Sequence, residues 1–274
     1  MAEAQIEQET SLALLSLIDD FEVAVRDAIT ISESRIGIDH TGRQNLALFV
    51  FAKLIAHCMS MGAILSHCRR VLQEAGLLDH FSLAALGRAA LDASLMTMYI
   101  SDPGLDRDRW DLRRRIFHLH ELFNRKRFLT AAGAGAESVL KLPFFETYEE
   151  RKAALRSRIE ILAAQLGYTP VQIEGFLKGQ LVFIDGARGA AREAGWDADA
   201  FDFHQAYLSN WVHSHPVSFL RFDDQGISFS RPSEYQLHFC GTVLEITMPY
   251  VRNVTGRMTA FTGSSQFDKV GHLD

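Results

Sequence analysis

The 274-residue chain has few cysteines and no excess of positive charge, and each absence excludes a class of protein. Its three cysteines, Cys58, Cys68 and Cys240, include no Cys-x-x-Cys pair, which argues against a zinc framework or a disulfide scaffold and favours a reducing compartment. The formal net charge of −6 gives no general positive field to attract nucleic acid. A local basic patch could still bind it, so this partner is disfavoured but stays open.

The N-terminus lacks the features of a secretory signal. It reads Met-Ala-Glu-Ala-Gln-Ile-Glu-Gln-Glu, which is acidic where a signal peptide is basic. Residues 46–68 are apolar for longer than the roughly 20 residues that cross a bilayer, but the stretch carries Lys53, His57 and His67. A helix buried on most sides inside a bundle explains this pattern without lipid. We therefore expect a cytoplasmic protein without membrane association.

Apolar residues recur at spacings of three and four along most of the chain, as is typical of packed α-helices. The first predicted helix starts at about residue 6 and ends between about 34 and 42, and the third starts after residue 79 or 82 and ends before 102. The others cover about residues 43–76, 106–132, 146–166, a short segment opening at 169–170, 186–195 and 199–214. Either Asp79 or Ser82 caps the third helix. The sequence therefore predicts an all-α, multi-helix bundle, whose long first helices could support a homodimer.

The helical pattern changes after Pro216. Residues 217–222 and 227–230 alternate with period two around the turn sequence Asp-Asp-Gln-Gly, which predicts a small β-hairpin over about 217–230 near the C-terminus. A last helix follows from Glu234 to about Arg252. We predict a single helical domain over residues 1–261 and a frayed tail over 262–274, which has little to bury.

Polar side chains concentrate between Tyr207 and Pro216, just before this change. Ser209 and His213 are spaced i,i+4, so a helix brings them within reach of each other as a nucleophile and its base would be. The surroundings lack a Gly-x-Ser-x-Gly elbow and imply no oxyanion hole, which favours hydrogen-bonded helix packing instead.

Two His-x-His pairs raise the question of a metal. On a helix, positions i and i+2 point about 200° apart, so His118 and His120 cannot share one ion. His213 and His215 could do so where Pro216 bends the backbone, but no motif supplies further ligands. We therefore predict no metal site and no cofactor.

Arg88 and Asp92 interrupt the apolar third helix at i,i+4. Burying an unpaired charge costs several kcal/mol, so the pair needs partners. One interpretation is an internal salt bridge. The other places Arg88 across from Tyr207, Ser209 and His213, in a pocket for a small anionic ligand.

Short motifs carry a family resemblance. Arg88-Ala-Ala-Leu-Asp92-Ala, the Ala191-Arg-Glu-Ala-Gly195-Trp segment and Tyr207-x-Ser209-x-x-x-His213 resemble a bacterial all-helical family described only as a domain of unknown function. The resemblance spans about residues 44–252. It implies a shared polar cluster of Arg88, Asp92, Tyr207, Ser209 and His213, and it brings no established activity.

A more distant resemblance is to the helical nuclease and nucleotide-binding domains called HEPN. Their active members use an Arg followed after four to six residues by a His, in a site completed by dimerisation. Arg113-x4-His118 and Arg115-x4-His120 have this spacing, although Arg or Ile follows where a small polar residue is usual. The resemblance implies Arg115 as an electrophilic clamp and His120 as acid and base. A solvated helix face explains the same arginines.

Two hypotheses of function therefore stay open. The first is a binding or interaction module that holds a small anionic ligand at Arg88, Asp92, Tyr207, Ser209 and His213. The alternative is a HEPN-like, metal-independent ribonuclease or phosphohydrolase that works through Arg115 and His120. Whether the protein is an enzyme depends on which set lines an open cleft.

Overall fold

The structure, a computed structural model, describes residues 2–72, 76–133, 142–228 and 230–263. These residues form nine α-helices and one short 3-10 turn, with no strand among them, so the all-α prediction is confirmed. In chain order the helices are α1 (Ala2–Glu33), α2 (Gly42–Val71), α3 (His80–Ile100), α4 (Arg107–Gly133), α5 (Pro143–Gln165), α6 (Pro170–Leu177), α7 (Gly186–Glu193), α8 (Ala198–Val212) and α9 (Glu234–Gly263).

The chain divides into two compact units. Unit 1 comprises residues 1–102 and 193–274, and it contains α1, α2, α3, α8 and α9. Unit 2 comprises residues 103–192, with α4, α5 and α6. Unit 1 is thus built from the two ends of the chain, while unit 2 is continuous. The prediction of one helical domain over residues 1–261 stays a prediction.

Local sequence signals fix where several helices begin. The Thr41 hydroxyl accepts from the Gln44 backbone N–H, and the Gln44 side chain accepts from the Thr41 N–H at 3.0 Å, which forms a capping box for α2. The Asp79 carboxylate accepts from the Ser82 N–H at 3.0 Å, so Asp79 is the cap of α3. These bonds satisfy backbone donors that a helix start leaves without intrahelical partners.

Helix α3 is the most buried helix of unit 1, and a glycine lets it approach α9 closely. A Cβ at Gly87 would lie 3.0 Å from Val243 Cγ1 and 3.2 Å from Thr247 Oγ1, both on α9. These distances are tighter than most Cβ contacts, so a larger residue at 87 would require the α9 side chains to shift by a few tenths of an ångström. The next residue, Arg88, leaves this contact and reaches α8.

Unit 2 has its own core, formed where α4 packs on α5 and α6. Its fully buried members are Leu112, Ile116, Leu119, Ile159, Leu162, Ala163 and Phe176. The α4 members recur at spacings of four and three, so one face of the helix is apolar. Charged side chains, including Asp111 and Arg115 on α4 and Arg158 on α5, lie on stripes beside the apolar faces of these helices.

The predicted β-hairpin is wrong for the described residues of 217–230. Residues Pro216–Ser218 form the 3-10 turn, and turns continue to residue 226. The backbone N–H groups of this stretch bond three to five residues back: that of Phe219 to Pro216, that of Gln225 to Arg221 and that of Ile227 to Phe222. These local bonds replace a cross-strand ladder, which has little stability in an isolated pair of strands.

The last helix is longer than predicted. It continues past Arg252 to Gly263, so positions 262 and 263 of the predicted tail are helical, and residues 264–274 lie outside the described residues. Pro249 lies inside this helix with an exposed side chain. Water can satisfy the Glu245 carbonyl that loses its partner there, so the proline is tolerated.

Helix α2 contains the apolar stretch singled out in the sequence. Residues Gly42–Arg70 form a helix that is long and apolar enough to span a membrane, and 33% of its most apolar 18-residue stretch is buried. One face packs into unit 1 through Phe51, Leu54 and Met61, while Phe49 is exposed on the other. Length and composition do not separate a membrane span from a core helix, so cytoplasmic localisation stays a prediction.

A fully buried histidine joins the ends of three helices. His80 is 0% exposed, its Nδ1 lies 3.1 Å from the Gln236 amide nitrogen, and the rings of Trp211 and Phe239 meet it edge-on at 5.8 and 5.7 Å. Burial lowers the pKa of His80, and the Leu78 carbonyl, 3.2 Å from Nδ1, only partly opposes this effect.

We expect His80 to make the protein less stable in acid. Below its ordinary pKa of 6.5 the unfolded chain takes up a proton that the native imidazole resists, so the free energy of unfolding falls as the pH drops below about 6.5. Urea unfolding midpoints between pH 7.5 and 5 should fall less steeply for His80→Gln than for the wild type. His238→Gln, at an exposed position, is the control. Equal slopes in all three proteins would contradict the prediction.

Candidate functional site

Arg88 of α3 and Ser209 of α8 meet although they lie 121 residues apart in the chain. The Arg88 Nε–H donates to the Ser209 hydroxyl oxygen at 2.9 Å, and the guanidinium pairs with Asp92 one helical turn further along α3. The i,i+4 spacing places both charges on one side of the helix. Arg88 therefore links α3 to α8 and also holds a carboxylate.

Gln205 completes this group, and the sequence analysis missed it. Its amide Nε2 donates to Asp92 Oδ1 at 3.2 Å. Gln205 precedes Ser209 by one helical turn, so both face α3, and this i,i+4 relation is the signal that could have found it. We call Arg88, Asp92, Gln205 and Ser209 the Arg88 cluster.

The two charged members of the Arg88 cluster differ in exposure. The Arg88 side chain is 19% exposed and that of Asp92 is 58% exposed. An ion pair with one partner so far in solvent contributes only about 0–1 kcal/mol to stability. The guanidinium is therefore anchored between helices, while its carboxylate partner can exchange with water at little cost.

Tyr207 and His213 belong to other contacts. The Tyr207 ring stacks on Phe203 with centroids 5.8 Å apart and approaches Phe239 at 6.0 Å, and burial raises the pKa of its hydroxyl. His213 ends α8 with an exposed ring that stacks on His215 at 5.5 Å. Among the contacts of the described residues, its backbone N–H reaches the Ser209 carbonyl at 3.2 Å, while its imidazole does not bond the Ser209 hydroxyl.

Arg115 and His120, the residues of the ribonuclease alternative, have different partners on α4. The Arg115 Nε–H donates to Asp111 at 3.1 Å, and the His120 ring lies 3.0 Å from the Asn124 amide nitrogen. Five residues of helix separate their directions by about 140°. Burial lowers the pKa of His120, and nearby Arg127 lowers it further. The ribonuclease assignment stays a prediction.

A metal ion is held mainly by His, Cys, Asp and Glu side chains that converge on one point. Within the ranges the structure describes, no group of three or more His, Cys, Asp or Glu side chains is placed to hold one. His118 and His120 lie at i and i+2 of a regular helix, so they diverge as expected from the spacing.

Comparison with known proteins finds no matching family model, no matching curated protein and no matching solved structure.

We expect a double-mutant cycle to detect the contact between Arg88 and Ser209. The coupling free energy between Arg88→Ala and Ser209→Ala should be about 1–2 kcal/mol, because either single substitution already removes the charged, partly buried hydrogen bond and the double variant loses nothing further from it. The control cycle of Arg88→Ala with His213→Ala should be additive within about 0.5 kcal/mol. Urea unfolding measures both cycles. Coupling to His213 instead of Ser209 would contradict the geometry described here.

Proposed function

We propose that this protein is a helical binding module that holds the carboxylate of a small organic anion at the Arg88 cluster. One observation carries the proposal: the cluster already holds a carboxylate, that of Asp92, between the Arg88 guanidinium and the Gln205 amide. The donors that hold this internal carboxylate are the donors that a ligand carboxylate would need.

The exposure of the cluster favours exchange of one carboxylate for another. Asp92 is the most exposed charged member, so its side chain can rotate into water when a ligand arrives. Arg88 is also held by its bond to Ser209, a contact that does not involve Asp92. Because the Ser209 hydroxyl accepts this bond, its own hydrogen can be donated to the ligand.

The charge of the cluster favours a monoanion of small size. A single guanidinium offers a planar pair of N–H groups that matches a carboxylate. With Asp92 displaced into solvent, one positive charge would face one negative charge, and the Gln205 amide would add a neutral donor. The ligand class is therefore a small carboxylic acid.

The experiment measures binding of acetate and propionate, two small monoanions, by calorimetry at constant ionic strength. Asp92→Asn removes the internal competitor and should bind these acids several-fold more tightly than the wild type does. Arg88→Gln should weaken binding by about tenfold or more, because a charged hydrogen bond contributes about 1.5–3 kcal/mol.

Arg109→Gln is the matched control. Arg109 forms an exposed pair with Asp106, with side chains 61% and 60% exposed, in a helix of unit 2. Its removal changes the net charge as Arg88→Gln does and should leave carboxylate binding unchanged. The proposal fails if neither the wild type nor Asp92→Asn binds either acid, or if both arginine variants lose binding equally.

A further inference from the structure

Unit 2 contains a carboxylate surrounded by three guanidinium groups. Asp111 on α4 has a side chain only 4% exposed. Its Oδ1 accepts from Arg115 Nε at 3.1 Å and from Arg114 Nη2 at 3.4 Å. Its Oδ2 accepts from Arg158 of α5 through Nε at 3.2 Å and Nη2 at 3.1 Å. We call these four residues the Asp111 cluster.

The carboxylate is ionised in this setting. Burial alone would raise the pKa of Asp111, but the adjacent guanidinium groups of Arg115, Arg158 and Arg114 together lower it below its ordinary value. One negative charge then meets three positive charges. Arg115 and Arg158, which both pair with Asp111, therefore bring one more positive charge than the carboxylate neutralises.

The exposure of the four side chains rises outward from the carboxylate. Arg114, Arg115 and Arg158 are 16%, 28% and 45% exposed, compared with 4% for Asp111. A guanidinium has five N–H donors, and Asp111 engages Arg115 through Nε and Arg158 through Nε and Nη2. The buried carboxylate thus orients groups whose outer parts reach solvent.

The helix spacing extends this positive region. Asp111, Arg114, Arg115 and His118 lie at i, i+3, i+4 and i+7 of α4, which is one stripe of a helix. Burial lowers the pKa of His118, and the positive charges of Arg114, Arg115 and Arg151 lower it further, against the opposing effect of Glu121. The neutral imidazole can then donate or accept a hydrogen bond beside the arginines.

We propose that the Asp111 cluster is a binding site for a phosphoryl group of a small molecule. The negative charge of a phosphoryl group would be attracted by the positive charge that Arg115 and Arg158 bring beyond that of the carboxylate. Its oxygens match the paired N–H groups of Arg115 and Arg158. The same chemistry is offered by inorganic phosphate and by a nucleoside monophosphate. The site lies in unit 2 and is independent of the carboxylate site proposed at Arg88.

The test uses the full chain and titrates inorganic phosphate and a nucleoside monophosphate at constant ionic strength, with calorimetry as the readout. Arg158→Gln should weaken binding of both by about tenfold or more, since it removes the most exposed guanidinium. Arg158→Lys keeps the charge but not the paired donors, so its affinity should lie between those of the wild type and Arg158→Gln. Arg109→Gln, at an exposed position outside the cluster, should bind phosphate like the wild type.

Three results would overturn the proposal. The first is no binding of either probe to the wild type at millimolar concentration. The second is equal loss in Arg158→Gln and Arg109→Gln, which would indicate attraction by net charge alone. The third is binding of short RNA but of neither small probe, which would assign the arginines to a macromolecular surface. Failure of carboxylate binding at Arg88 would leave all three readouts unchanged.

Discussion

The close approach of α3 to α9 at Gly87 is the constraint on which unit 1 depends. A side chain at this position would press on Val243 and Thr247, so glycine lets the two helices pack at this distance without displacing either neighbour. The approach also sets the position of the following residue. Arg88 is carried to the side of α3 that faces α8, where Ser209 accepts its hydrogen bond. The helix contact at Gly87 thus positions the guanidinium of Arg88.

The two charged clusters have opposite arrangements. In the Arg88 cluster the cation is mostly buried and the carboxylate is exposed, so the acid is the replaceable partner. In the Asp111 cluster the carboxylate is buried and its three arginines are progressively more exposed, so the acid is the fixed partner. Desolvation explains the difference, because a buried ion keeps its partners and an exposed ion exchanges them with water.

Sequence patterns predicted the features that depend only on residues close together along one helix. Helical periodicity gave the all-α class, Asp79 appeared as a helix cap, and the i,i+4 spacing of Arg88 and Asp92 indicated an ion pair. Contacts between helices depend on rotation about each helix axis, which periodicity leaves undetermined by tens of degrees. Gln205 was missed for this reason, and the contact of the exposed His213 ring with His215 was likewise not predicted.

The same limit explains why the Asp111 cluster was not predicted and why the predicted hairpin is wrong. Arg114 and Arg115 are visible beside Asp111 in the sequence, but Arg158 comes from 47 residues further on and no local pattern links it to them. In residues 217–228 the alternation of apolar side chains was real, yet Val217 and Leu220 are exposed at 57% and 73%. Period two predicts a strand only where another element covers one of its faces.

The division of unit 1 between the two ends of the chain has a consequence for biosynthesis. When a ribosome has completed residues 1–192, α3 has been made but α8 and α9 have not, so the apolar surface that α9 later covers is open to solvent. Unit 2 is contiguous and can fold during that interval. The nascent protein therefore passes through a stage in which unit 2 is complete while unit 1 still exposes apolar surface. A chaperone would be expected to engage the chain at this stage.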